Sequence, residues 1–167
     1  MAIGDAPNDV YHNGNWYNRS GTQISGVDSV SVVTATKVMV NNDIVFTAVG
    51  DVQIVDLVSE CVTANNATAS TIQYSITPTI GTATTISGAS ATLASAAAGA
   101  TVSLVGDALA TAPVVASTGV GLSQTARGIW FPAGTLKLVI GVGSTTGTWK
   151  HYLRYIARED GAYVVGS

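Results

Sequence analysis

Charge, cysteine and histidine are all scarce in this chain of 167 residues. Charged side chains make up 10% of it, with a formal net charge of −3, where soluble domains usually carry ~25% charged residues. Seven Lys+Arg against ten Asp+Glu, with no basic cluster, argue against a free-standing nucleic-acid binder. Cys61 is the only cysteine, so no disulfide forms within the chain. His12, Cys61 and His151 are too far apart in sequence for zinc-ligand spacing. No uninterrupted apolar run approaches the ~20 residues that a membrane-spanning helix needs. Neither Gly-x-Ser-x-Gly nor Gly-x-x-x-x-Gly-Lys-Ser/Thr occurs. The first residues, Met-Ala-Ile-Gly-Asp, have no basic and apolar leader regions. The expectation is therefore a reducing compartment, or exit from the cell by a route other than secretion.

What is present instead is small or β-branched. The chain holds 23 Ala, 22 Val, 21 Thr, 18 Gly and 15 Ser, so Ser, Thr and Asn must cover a surface that charge does not. A mean hydropathy of +0.37 with so little charge is the opposite of a disordered chain. At this length one domain is the natural reading, and it buries roughly 70% of its unfolded surface without a staple.

Residues 1–29 read differently from the rest. They are Asn-rich and carry Tyr11, Trp16 and Tyr17 with no period of 2 or 3.6. Asn13-Gly14 takes φ > 0 cheaply and marks a tight turn. The segment reads as an extended arm with one small hairpin or turn. Rings without a core of their own bury against something else, either a neighbouring molecule or the arm's own domain.

From residue 30 to residue 167 the text is strands and turns. Val30–Val40 is Val/Thr-rich and Asn41-Asn42-Asp43 breaks it. Ile44, Phe46 and Ala48 alternate with Val45, Thr47 and Val49. Past Gly50-Asp51, Val52, Ile54, Asp56 and Val58 oppose Gln53, Val55 and Leu57. Ile72, Tyr74 and Ile76 form one apolar face, and Pro78 ends that run. Thr82–Gly99 is low-complexity and reads as a long loop with one short helical turn near Ala94–Ala98. Ala100–Val105 and Val114–Ser117 read as further strands. Leu136, Leu138, Ile140 and Val142 share a face, as do Trp149, His151, Leu153, Tyr155 and Ala157; the Gly143–Gly147 loop between them predicts a β-hairpin. Ala162–Val165 reads as a last strand. Strand signals at this spacing without a helix predict an all-β fold, an antiparallel β-sandwich of jelly-roll-like type with an extended N-terminal arm.

Chemistry finds little to stand on. Cys61, in an apolar run, reads as an inert core residue. His151 reads as a core or interface histidine hydrogen-bonded to backbone, and a His base remains formally open. Nothing marks Glu60 or Glu159 as half of a glycosidase pair. Calcium needs clustered oxygen ligands; Asp51 and Asp56, or Glu159 and Asp160, could join a loop site, but Glu159-Asp160-Gly161 is simpler as a hairpin turn. Asn18 and Asn66 begin glycosylation sequons that read as chance matches. Lys150, Arg154 and Arg158 make the only basic row, a solvated strand face or a contact for an acidic partner. The expectation is no enzyme, no metal and no cofactor.

One resemblance stands out. Gly128-Ile-Trp-Phe-Pro-Ala-Gly-Thr-Leu-Lys-Leu-Val-Ile, then Ser144-Thr-Thr-Gly-Thr-Trp-Lys-His-Tyr-Leu-Arg-Tyr and Asp160-Gly-Ala-Tyr-Val-Val, resembles the C-terminal pattern of small virion proteins of tailed bacteriophages. It covers residues 128–165, and the Ala/Thr/Val/Gly-rich make-up is similar to that of phage capsid decoration proteins. The resemblance implies a non-enzymatic β-sandwich cement subunit on the capsid surface, made in the host cytoplasm. Its implied partners are the major capsid protein and itself, with a trimer favoured, and neither nucleic acid nor membrane. No functional residue carries over, because such proteins bind by surface shape. Trp, Tyr and Arg dominate interface hot spots, so Tyr11, Trp16, Tyr17 and Arg19 are the expected subunit or capsid contacts. A second reading is a head-fibre or tail protein whose Trp16 or Trp130 stacks on host surface glycan.

Overall fold

The computed structural model describes the backbone of residues 10–12, 15–17 and 23–24, and describes residues 30–105, 109–116, 128–143 and 146–167 in full. Three short strands occupy the N-terminal segment: β1 (Val10–His12), β2 (Asn15–Tyr17) and β3 (Gln23–Ile24). They form an antiparallel sheet in that order, one strand more than the single hairpin or turn expected. Asn13-Gly14 lies outside the described residues.

Two antiparallel sheets make the sandwich. The larger is built from β4 (Val30–Val38), β6 (Val52–Cys61), β9 (Thr101–Ser103), β10 (Val114–Ala116), β11 (Ile129–Phe131) and β13 (Thr148–Ala157). Its order is β10-β9-β6-β13-β4, with β11 also paired to β6. The smaller holds β5 (Ile44–Val49), β7 (Thr71–Pro78), β8 (Thr84–Thr85), β12 (Gly134–Gly141) and β14 (Tyr163–Gly166). Its order is β14-β5-β12-β7-β8. Every strand pair described is antiparallel, and no helix occurs among the described residues. The all-β antiparallel sandwich follows from the Val/Thr alternation, because a period of 2 buries one face per strand and two such faces must meet.

The connections differ from the sequence reading in one respect. β12 and β13 are not a hairpin: β12 pairs with β5 and β7, whereas β13 pairs with β4 and β6. The chain crosses from one sheet to the other between them, so Leu136, Leu138 and Ile140 face Trp149, His151 and Leu153 across the core. Alternation fixes which face is inward, and a short Gly-rich link serves a crossing as well as a hairpin. Val142 breaks its alternation here, with φ 58 and its side chain in solvent. Ser70 Oγ donates to the Gly143 carbonyl at 3.2 Å and holds the crossing in place.

Two bulges displace other expected faces. The β6–β13 register slips so that Arg154 opposes Asp56 while Tyr155 opposes Ile54. Val55 is the extra residue, and past it the inward set is Leu57, Ser59 and Cys61, while Asp56, itself buried, falls on the outer side opposite Arg154 and Val58 opposite Tyr152. A second slip lies between β12 and β5, where Leu136 opposes Phe46 and Lys137 opposes Ile44. Val45 turns inward there beside Phe46, against the simple alternation.

Trp149, Tyr74, Phe46, Phe131 and Met39 are the largest wholly buried side chains among the described residues, and Leu153 is wholly buried with them. The Thr82–Gly99 segment, expected to be a long loop with one short helical turn, contributes to this core. Ile86 and Leu93 are buried, and Ala94–Ala98 makes turns, not a helical turn. Its backbone also finishes β7: Ile86 N–H donates to the Tyr74 carbonyl at 2.8 Å and Ser90 N–H to the Ile72 carbonyl at 2.9 Å. The Ser87 and Ser90 hydroxyls accept the Tyr74 and Ile72 N–H groups in return. Serine is used here because a loop covering a strand edge must satisfy that strand's donors without a regular ladder.

Candidate interaction surface and buried polar cluster

β13 presents two chemistries on its two faces. The outward residues are Lys150, Tyr152, Arg154 and Ile156, and the register sets their neighbours. Lys150 lies between Thr36 and Glu60, Tyr152 between Thr34 and Val58, Arg154 between Val32 and Asp56, and Ile156 between Val30 and Gln53. Gln53 in turn opposes Trp130 on β11. Across one end of this outer face therefore runs the row Val30, Ile156, Gln53, Trp130, about 14 Å wide at the usual strand spacing. Trp130 is 56% exposed and Val32, in the adjacent row, 62%.

The charges on this face are matched within it. Tyr152 Oη donates to Glu60 at 3.0 Å, the Lys150 ammonium lies 4.9 Å from the Tyr152 ring centre, and Arg154 lies 4.0 Å from Asp56. The basic row seen in the sequence is thus a row of partnered cations along β13, at least at Lys150 and Arg154. What water is left to cover is the apolar row, and an exposed Trp beside aliphatic side chains is the usual make-up of a contact surface.

The inward side of the same strand holds a polar cluster that the sequence did not reveal. Ser59 Oγ lies 2.6 Å from His151 Nδ1 and 2.8 Å from Tyr74 Oη. Ser59 and His151 are neighbours in the larger sheet, whereas Tyr74 reaches over from the smaller one. All three are fully buried. His151 is a core histidine as expected, but its partner is a serine hydroxyl and not backbone. Burial, with a smaller push from the Lys37 charge, lowers its pKa to about 4. Burial also pushes the Tyr74 phenol above its ordinary value, with the Ser59 bond pulling weakly the other way. Near neutral pH the imidazole is uncharged and the phenol keeps its proton.

A Ser–His contact at this distance is the first half of a nucleophile and base. The second half is missing among the described residues: His151 Nε2 has no hydrogen-bond partner, so no carboxylate orients the ring, and no substrate reaches a fully buried serine. Cys61, also buried, has its thiol pushed up mainly by burial, and it donates to the Thr63 carbonyl at 3.2 Å. Among the described residues no three His, Cys, Asp or Glu side chains gather to hold a metal ion. Compared with protein-family models, curated proteins and solved structures, the chain matches none.

Of the contacts expected from the sequence, Tyr11 lies on β1 and Trp16 and Tyr17 on β2; the register sets Tyr11 opposite Trp16, and Trp16 opposite Ile24. Arg19 lies outside the described residues. Trp130 stands on the outer face of the larger sheet, opposite Gln53, a neighbour that local alternation does not show. Its row was hidden because its members come from four strands far apart in the chain. Ser59 was hidden by the β6 bulge, since unbroken alternation sets it opposite Val52, on the other face.

Proposed function

We propose that this chain is a non-enzymatic structural subunit of a phage virion: a capsid decoration, or cement, protein that binds the major capsid protein and stabilises the shell. The observation that carries this reading is the division of the molecule into a sealed polar interior and a binding-type exterior. The Ser59–His151 pair is out of reach of any substrate, whereas Trp130, Val30 and Val32 stand in water on a charge-matched sheet face. Trp is the residue most enriched where protein interfaces concentrate their energy. In this reading the protein needs no cofactor and works as a homo-oligomer, with a trimer favoured. Its N-terminal segment adds Tyr11, Trp16, Tyr17 and Arg19 as anchors to a neighbouring subunit. It contacts neither nucleic acid nor membrane, and its place is the outer capsid surface.

The test is co-sedimentation of the purified protein with mature shells that lack it. Saturable binding at a fixed copy number, with shells that then survive heat better, is the expected result; no binding to any shell form ends the reading. Deletion through Gly26 that leaves binding unchanged removes the N-terminal anchor from it. The exposed Trp130 beside Gln53 also favours a second reading, a head-fibre or tail protein that stacks this ring on host glycan. Saturable quenching of tryptophan fluorescence by host surface polysaccharide, lost in Trp130→Ser, is the result that selects it.

A further inference from the structure

We propose that Ser59, His151 and Tyr74 form an acid-operated latch between the two sheets, which holds them while the imidazole is neutral and lets go when it takes up a proton. The argument begins with proton positions. In the neutral state the Tyr74 hydroxyl donates to Ser59, and Ser59 donates to His151 Nδ1, so every hydroxyl proton in the chain of three has an acceptor. A proton arriving from solvent makes both ring nitrogens donors. His151 Nδ1 then donates to Ser59, and whether Ser59 donates to Tyr74 or accepts from it as well, one of the two hydroxyl protons has no acceptor among these three groups. Nε2–H, which has no partner in the described structure, now carries part of a full positive charge. Unsatisfied buried donors and an unpaired buried charge are among the costliest features a core can hold.

Among the described residues nothing facing the ring offsets that charge. On β4, Ala35 lies opposite His151, and further along is Lys37, a cation held 3.7 Å from Asp43. β6 contributes Ser59 and the Cys61 thiol, and β13 itself places Trp149 and Leu153 on either side. From the smaller sheet, β7 brings the Tyr74 phenol between Ile72 and Ile76, and β5 and β12 bring Val45, Phe46, Ala48, Leu136, Leu138 and Ile140. Glu60 and Lys150 point to the outer face. Among the described residues an imidazolium here meets one cation and no free carboxylate, and the hydroxyl pair that joins the sheets is left with a proton it cannot bond.

The sign follows. The folded imidazole titrates at about 4 and the unfolded one near 6.5, so the unfolded chain binds more protons in between. Stability is therefore lost as pH falls from about 6.5 through about 4, by on the order of a hundredfold in the folding equilibrium. This does not depend on what the protein binds. The experiment is urea unfolding of the full chain from pH 7.5 to 3.5 for the wild type, His151→Gln and Tyr74→Phe, with near-ultraviolet circular dichroism reporting on buried Trp149. The wild type is expected to lose on the order of a hundredfold more than His151→Gln across that range. Tyr74→Phe is expected to be weaker at every pH with the wild-type slope retained. Equal slopes for the wild type and His151→Gln overturn the latch. If His151→Gln does not fold, the imidazole resonances of the wild type decide, with His12→Gln identifying the other ring. A His151 resonance titrating near 6.5 overturns the proposal, and one depressed by two units, moving together with loss of the Trp149 signal, supports it.

Discussion

The two outer faces of the sandwich are built on strands of similar length and from different chemistry. On the smaller sheet Thr47, Thr135 and Thr77 stand in one row, with Lys137 beside Ser75 and Val139 beside Gln73 in the rows that follow. Its well-exposed apolar side chains, Val49, Tyr163 and Val165, sit on the outermost pair β5–β14. The larger sheet instead carries Val30, Ile156 and Trp130 across its width, beside the Arg154–Asp56 ion pair and a phenol bonded to a carboxylate. A hydroxyl-covered face is content with water. A row of valine, isoleucine and tryptophan is not, so the larger sheet is the side on which a partner gains most by covering it.

The largest effect comes from beneath both faces. Leu153→Ala empties a wholly buried site on β13 and is expected to cost about 3 kcal/mol in urea unfolding, enough to remove either face as a binding surface. Next, Trp130→Ser combined with Val32→Lys should weaken shell binding by tenfold or more, by the scale of a lost interface anchor, with little change in melting temperature. Thr77→Lys on the other sheet should leave binding as it was; equal loss from both would erase the contrast between the faces. Tyr155→Phe removes the hydroxyl that accepts Val164 N–H at 3.2 Å, a link from β13 to β14, at about 1 kcal/mol. The smallest change is Lys37→Gln. It breaks a surface pair with Asp43 worth under about 1 kcal/mol, and less in high salt. Because the Lys37 charge also presses on His151, the same variant should let the imidazole titrate at a slightly higher pH in an NMR titration.

The sequence made faces legible and neighbours illegible. Leu136, Leu138 and Ile140 point inward as their alternation demands, and so do Trp149, His151 and Leu153. Period 2 is a property of one strand and needs no knowledge of the others. Strand pairing is a property of the whole chain, which is why β12 and β13 read as a hairpin and stand in opposite sheets. Bulges defeat local reading for a related reason. The extra residue at Val55 is defined only against β13, and it decides that Ser59 lies inside beside His151 and Tyr74. The Thr82–Gly99 stretch hid two core residues, Ile86 and Leu93, because isolated apolar side chains in a small-residue background show no period. Asn65 carries even less signal, yet it accepts from Trp149 Nε1 at 3.0 Å and donates to the Leu93 carbonyl at 3.0 Å. It ties that loop to the centre of the core.

The crossing of the chain between β12 and β13 is repeated along most of its length. β4 and β5, β5 and β6, β6 and β7, β8 and β9, β11 and β12, and β13 and β14 likewise lie in opposite sheets. Strands that follow one another in synthesis thus meet across the core and seldom edge to edge. Among the pairs along the two sheet orders only β7–β8 and β9–β10 join strands consecutive in the chain, and the central pair, β6 and β13, closes a loop of most of the domain. Such non-local pairing places folding on the scale of milliseconds to seconds. It also ties the two layers into a single cooperative unit, because the larger sheet lacks a central strand until β13 joins β6 and β4, as the smaller does until β12 joins β5 and β7.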